Sequence, residues 1–157
     1  MTRSFYAAAT YMVLGLLSGL FYREYTKLND FPLGEYSQLN TLHTHMLVLG
    51  MVVFLVVLCL DALFGLSGRR SFTAFFWVYN AGLAVTIVMM VVRGVLTVDG
   101  RTEADTSAAI PGIAGLGHIM ISAGLSALFV ALGAAVRERA AGAGAALTPP
   151  RAPSAAF

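Results

Sequence analysis

The chain has 157 residues, of which 58% are hydrophobic and 11% are charged, and its formal net charge is +2. Soluble domains carry about 25% charged residues, so this composition excludes an ordinary soluble protein and predicts a one-domain integral membrane protein. The small net charge argues against a nucleic-acid partner, and the single cysteine, Cys59, excludes a disulfide within the chain.

Four apolar runs are long enough to cross a bilayer as helices, which takes roughly 20 residues. They cover residues 5–22, 39–60, 72–98 and 113–136. The sequence therefore predicts an all-α fold, an integral membrane four-helix bundle within residues 1–139. The stretch 140–157 is rich in Ala, Gly and Pro and is predicted to be a disordered C-terminal tail.

Four spans place both termini and the second loop on the same side of the membrane. Six basic residues lie on that side and three on the other, a bias that predicts cytoplasmic termini. The six are Arg3, Arg69, Arg70, Arg137, Arg139 and Arg151, and the three are Arg23, Lys27 and Arg101. We therefore expect a multi-pass protein of a bacterial cytoplasmic (inner) membrane.

The sequence also predicts where several side chains within the spans lie. Trp77 and Tyr79 are expected at the inner interface, as part of an aromatic belt, and Asp61 is expected there as an interfacial charge. Asn80 is expected to make an interhelical hydrogen bond.

Small residues cluster in the first and fourth spans. Gly15 and Gly19 form a pattern that allows close helix contact, either within the chain or between two chains. The small residues of the fourth span could close the bundle, or they could leave room beside His118 for a flat cofactor. They are Gly115, Gly117, Gly124, Ala127 and Gly133.

The chain contains three histidines: His43 and His45 in the second span and His118 in the fourth. Both spans begin on the outer side, so these residues lie roughly 6–9 Å into their helices at 1.5 Å per residue. Arg93 lies at a similar depth before the outer end of the third span. Ionisable groups inside a membrane are costly and usually functional, so this shared layer is the predicted functional site.

The spacing of His43 and His45 separates their directions. Two residues correspond to about 200° around a regular helix, so the side chains face nearly opposite ways. This argues against a zinc site in which all three histidines converge. One of the pair can face the bundle at the depth of His118, and depth favours His45 slightly.

Imidazoles from two helices at equal depth suit the two axial positions of a b-type haem. The second N–H of each ring needs an acceptor, and the candidates nearby are Thr41, Thr44 and Ser122. Gly50 or Gly115 could accommodate the ring plane. Arg93 could pair with a haem propionate, with Asp99 or with Asp105, or could extend to the membrane surface.

For a haem protein, we expect electron transfer or interaction with a small redox-active gas or a quinone. One alternative is a copper- or zinc-binding membrane protein that uses the histidines, with Met46 or Met120 as a further ligand. Another is a non-catalytic assembly or accessory subunit, whose histidines lie at contacts in a homo-oligomer or with a respiratory-type membrane partner. Whether the chain is an enzyme stays open.

The second span begins Leu39-Asn40-Thr41-Leu42-His43-Thr44-His45, and Gly117-His118 opens the last. With these features the chain resembles, up to about Arg139, a bacterial family of four-helix membrane proteins of unknown function, which implies the same fold.

The His43-x-His45 helix is also similar to the histidine-bearing helices of haem–copper oxidases and nitric oxide reductases. There such a pair serves two haems, which implies haem binding here, although three histidines are too few for a haem–copper centre.

Overall fold

A computed structural model of the chain describes residues 1–32, 34–101, 107 and 109–146, with side chains up to residue 143. Four helices account for most of these residues, and the described part of the chain contains no strand. They are α1 (Thr2–Leu28), α2 (Gln38–Phe64), α3 (Arg70–Val98) and α4 (Ala109–Ala146). Each is long and apolar enough to span a bilayer, so the predicted all-α membrane architecture is confirmed.

The fourth helix is longer than its predicted span. It continues to Ala146, so the prediction of a disordered tail is wrong for residues 140–146. Alanine has the highest intrinsic helix propensity, and the alanines of this stretch outweigh its glycines. Residues 147–157, the rest of the predicted tail, lie outside the described residues.

The second helix changes its winding in the middle of the membrane. It is α-helical from Gln38 to His45, π-helical over Met46–Val52, and α-helical again over Val53–Phe64. The hydroxyl of Tyr79 on α3 donates a hydrogen bond of 2.8 Å to the carbonyl oxygen of Leu49 in the π segment. This bond gives the buried Tyr79 hydroxyl an acceptor within the protein, which matters where no water is present.

Tyr79 is fully buried by this contact, so the expectation that it lies in an interfacial aromatic belt is wrong. Its ring also packs against those of Phe54 and Phe75. Trp77, two residues earlier, is 62% exposed on the outside of the bundle. Burial of Tyr79 therefore joins α2 to α3 at the π segment.

Helices α1 and α2 meet through glycines. A Cβ atom added to Gly15 would lie 2.7 Å from Leu47 Cδ2, and one added to Gly50 would lie 2.3 Å from Tyr11 Cγ. The small-residue face of α1 therefore packs within the chain. The hydroxyl of Tyr11 donates to Asn80 Oδ1 over 3.0 Å, which confirms the interhelical hydrogen bond predicted for Asn80.

Helices α3 and α4 form the closest seam of backbone against backbone. A Cβ atom on Gly82 would lie 2.7 Å from the Ile121 nitrogen, and one on Gly124 would lie 2.8 Å from Tyr79 Cβ. Helix α4 packs mainly on α3, and the N-terminal part of α2 packs on α3 as well. In the half of the bundle that holds the histidines, α3 therefore connects α2 and α4.

The other end of the bundle is joined by polar contacts. Asp61 is only 3% exposed; it accepts hydrogen bonds from the Ser67 amide, at 2.7 Å, and from the Ser67 hydroxyl, and it lies 2.7 Å from the Met1 amino group. Asp61 therefore lies near the end of α2, as expected, and it is buried there because the turn after α2 folds back onto the carboxylate. Arg139 of α4 donates to the Leu63 carbonyl over 2.9 Å.

We expect Gly124→Ala to destabilise the α3–α4 seam, because the added methyl group would collide with Tyr79. Overpacking of this kind costs about 1–3 kcal/mol, which thermal unfolding in detergent would register as a lower midpoint. Gly133→Ala on the same helix is the matched control, since nothing lies within 4 Å of the added atom. Equal unfolding midpoints for the two variants would contradict the close contact.

Candidate functional site

Three of the four predicted site residues line a single cavity of 210 Å³. His45 comes from α2, Arg93 from α3 and His118 from α4. We call this the histidine cavity. Helix α3 supplies its floor through Thr86 and Met90, and α2 and α4 supply opposite walls, as the packing of both helices on α3 requires.

The two histidines of the cavity are held in the same way. His45 Nδ1 lies 2.9 Å from the carbonyl oxygen of Thr41, and His118 Nδ1 lies 3.0 Å from that of Ala114. A carbonyl oxygen can only accept a hydrogen bond, so Nδ1 is the protonated nitrogen in each ring. In the neutral ring Nε2 then carries the lone pair, which is the arrangement of a metal-ligating histidine with its outer partner in place.

Of the three candidate acceptors, Thr41 accepts the His45 N–H, through its backbone carbonyl, whereas His118 uses Ala114 and not Ser122. The hydroxyl of Thr41 donates to the Gln38 carbonyl, and that of Ser122 donates to the backbone carbonyl of His118. The hydroxyl of Thr44 lies 3.4 Å from Nε2 of His43 instead. Within a helix, Ser and Thr hydroxyls bond to carbonyls one turn back, and both imidazoles use their own carbonyls one turn back in the same manner.

His43 lies on the opposite face of α2, towards α1. A Cβ atom on Gly19 of α1 would lie 3.9 Å from His43 Cβ, and His43 does not line the histidine cavity. Its Nδ1 is buried without a hydrogen-bond partner among the described residues. The prediction that His43 and His45 face different sides is confirmed, and His45 is the one that faces His118.

Of the methionines, it is Met90 that lines the cavity. The two proposed from the sequence lie elsewhere: Met46 is close to Gly15 of α1, and Met120 is close to Gly82 of α3. Within the described ranges, no group of three His, Cys, Asp or Glu side chains could hold a metal ion. In the histidine cavity, the residues that could bind a metal ion through nitrogen or sulfur are the two histidines and Met90.

Sequence reasoning missed Met90 and Thr86, although a signal for both was present. They precede Arg93 by three and seven residues, spacings that keep residues on one face of a helix. The residues on the same face of α3 as Arg93, one and two turns earlier, would have been found in this way.

The two glycines suggested to leave space for a porphyrin ring differ. The space beside Gly50 is filled by Tyr11, whereas nothing lies within 4 Å of a Cβ atom added to Gly115.

Arg93 is partly buried near the end of α3, and its backbone carbonyl accepts a hydrogen bond from the Thr97 hydroxyl. Asp99, one of its suggested partners, accepts a hydrogen bond of 2.9 Å from the Tyr25 hydroxyl. Asp105, the other, lies outside the described residues. The position of Arg93 places a cation at the histidine cavity.

A family described as "Protein of unknown function (DUF2871)" matches residues 1–135 of the chain. The chain belongs to this family. Membership confirms the family expected from the second and fourth spans, and it assigns no activity. No curated protein and no solved structure matches the chain, and the comparisons show no similarity to haem–copper oxidases.

We expect the neutral rings of His45 and His118 to carry their proton on Nδ1. The ¹⁵N chemical shifts of histidine-labelled protein in detergent, recorded where the rings are neutral, distinguish the two tautomers. His43→Gln assigns the remaining signals, because it removes the histidine that lies outside the cavity. A proton on Nε2 of either cavity histidine would contradict the hydrogen bonds to Thr41 and Ala114.

Proposed function

We propose that this membrane protein binds b-type haem in the histidine cavity, with His45 and His118 as the axial ligands. The observation that supports this most directly is the matched pair of imidazoles on opposite walls of one cavity. In each ring Nδ1 is engaged with the carbonyl one turn back, so Nε2 is the nitrogen left to bind a metal.

The number of donors favours haem over a bare metal ion. A porphyrin supplies the equatorial ligands of its iron, so two histidines complete the coordination. A structural zinc site takes four protein ligands and a catalytic one takes three, and the described residues hold no such group. The protein therefore supplies the two ligands that a haem iron still needs, and fewer ligands than a zinc ion needs.

The charge of Arg93 supports the same proposal, and the volume of the cavity limits how much of a porphyrin it could enclose. Arg93 at the cavity could pair with a propionate, since a guanidinium binds a carboxylate through two parallel hydrogen bonds. The volume of 210 Å³ is below the roughly 300–1,000 Å³ of ordinary ligand pockets. The proposed porphyrin would therefore extend outwards between α2 and α4, on the side where His118 is exposed.

Bound haem would supply a one-electron redox couple in the membrane. With histidines at both axial positions no coordination site is open, so we favour electron transfer over binding of a gas at the iron. A quinone at the exposed edge is compatible with this role. The excess of Arg and Lys on the side of the termini supports placing them in the cytoplasm of a bacterial inner membrane, with the histidine cavity in the outer half.

We expect the protein, purified after expression with haem supplied, to show the Soret band and the sharpened reduced bands of six-coordinate low-spin haem. His45→Ala and His118→Ala should each abolish the low-spin spectrum, because each removes one axial ligand. His43→Ala is the matched control and should leave the spectrum unchanged, since His43 faces α1. Wild-type protein without a Soret band, oxidised or reduced, would reject the proposal.

Copper is the second candidate, and the presence of Met90 beside the two histidines favours it over zinc. Thioether and imidazole ligands together suit Cu(I). If copper is the cofactor, elemental analysis should find one copper per chain and no iron, and Met90→Leu should lower copper retention. Met120→Leu is the control, because Met120 packs against α3 away from the cavity. Absence of both metals would instead favour an accessory subunit.

A further inference from the structure

A groove of 660 Å³ runs between α1 and α3 and extends from the level of the histidine cavity towards the N-terminal end of α1. We call it the α1–α3 groove. Its walls are mainly apolar and include Tyr6, Leu14, Phe76, Trp77, Ile87 and Val88. The hydrogen-bonded pair Tyr11 and Asn80 also lines it, so the polar groups there already bind each other.

The length of the groove corresponds to one leaflet of a bilayer. On α1 it reaches from Arg3 to Leu14, and on α3 from Phe76 to Val88. At 1.5 Å per residue these stretches measure about 17 Å and about 18 Å. Half of the hydrocarbon core is about 15 Å, so an acyl chain from the leaflet on the N-terminal side has a suitable length.

A second cavity, of 290 Å³, adjoins the groove at its N-terminal end. Thr2, Ser67 and Thr73 give it a polar lining, and Arg3 and Phe76 line both cavities. A polar pocket that continues into an apolar groove has the shape of a lipid, with a headgroup at one end and a tail along the helices.

The charges at this end favour an anionic headgroup. Neither cavity has a carboxylate among its described lining residues, and no described ion pair involves Arg3. Two other arginines at this end have partners and line neither cavity: Arg69 binds Glu138 through two hydrogen bonds, and Arg139 donates to the Leu63 carbonyl. Arg3 is therefore the cation that both cavities present.

We propose that the two cavities together bind an anionic diacyl phospholipid of the leaflet on the N-terminal side. Its phosphate would lie against Arg3 in the polar pocket, and one acyl chain would lie in the α1–α3 groove. Basic pockets at helix ends recognise anionic lipid headgroups in this way. The site shares no residue with the histidine cavity and does not depend on haem binding.

The test uses native mass spectrometry of the full chain in mild detergent, with phosphatidylglycerol and phosphatidylcholine of the same acyl composition as probes. Wild-type protein should retain phosphatidylglycerol in preference. Arg3→Gln should lower that retention about fivefold, the loss expected for one basic residue near anionic lipid, and should leave phosphatidylcholine unchanged. Arg70→Gln is the matched control, because Arg70 is exposed at the same end and lines neither cavity.

A second pair of variants tests the groove itself. Ala84→Phe would fill it and should reduce retention of both lipids, whereas Ala81→Phe, exposed on the same helix outside the groove, should not. Circular dichroism confirms that all variants are folded. Equal retention of the two lipids by wild-type protein, or no effect of Arg3→Gln, would overturn the proposal. Preferential retention of an isoprenoid quinone would overturn it in favour of a quinone site.

Discussion

The absence of water from the hydrocarbon core is the constraint on which this structure depends. A polar group placed there is costly unless it finds its partner within the protein. The Tyr79 hydroxyl finds one in the Leu49 carbonyl of the π segment. The two cavity histidines follow the same rule, since each satisfies Nδ1 on a carbonyl of its own helix. The proposal that these two histidines hold a haem iron rests on Nε2, the nitrogen of each ring that this hydrogen bond does not use.

Glycine contacts determine where the cavities lie. The close seam at Gly82 and Gly124 brings α4 against α3, and the contacts of Gly15 and Gly50 bring α1 against α2. With α3 in contact with both α2 and α4, the N-terminal halves of α2 and α4 become walls over a shared floor. The groove on the other side arises in the same way, because α1 and α3 touch through Tyr11 and Asn80 while larger side chains around them leave space.

Much of the fold and part of the site could be predicted from the sequence, because hydrophobic length and helical geometry are strong signals. They gave the four spans, the opposed directions of His43 and His45, and the shared depth of His45, His118 and Arg93. The π segment could not be predicted, since Met46–Val52 has the composition of any apolar helix and the winding depends on Tyr79 and Tyr11 from other helices. The burial of Asp61 was missed for a similar reason: it depends on the turn at Ser67 folding back onto the carboxylate.

The π segment also separates α2 into two parts whose orientations are set independently. In an unbroken α-helix, one inserted residue turns every later side chain by about 100°, whereas a π turn holds an additional residue without passing that rotation on. The N-terminal part of α2 can therefore place His45 in the histidine cavity while the C-terminal part keeps Phe54 and Asp61 buried. Met46–Val52 is therefore the part of this helix where one added residue would least disturb the direction of both His45 and the buried face of Phe54 and Asp61.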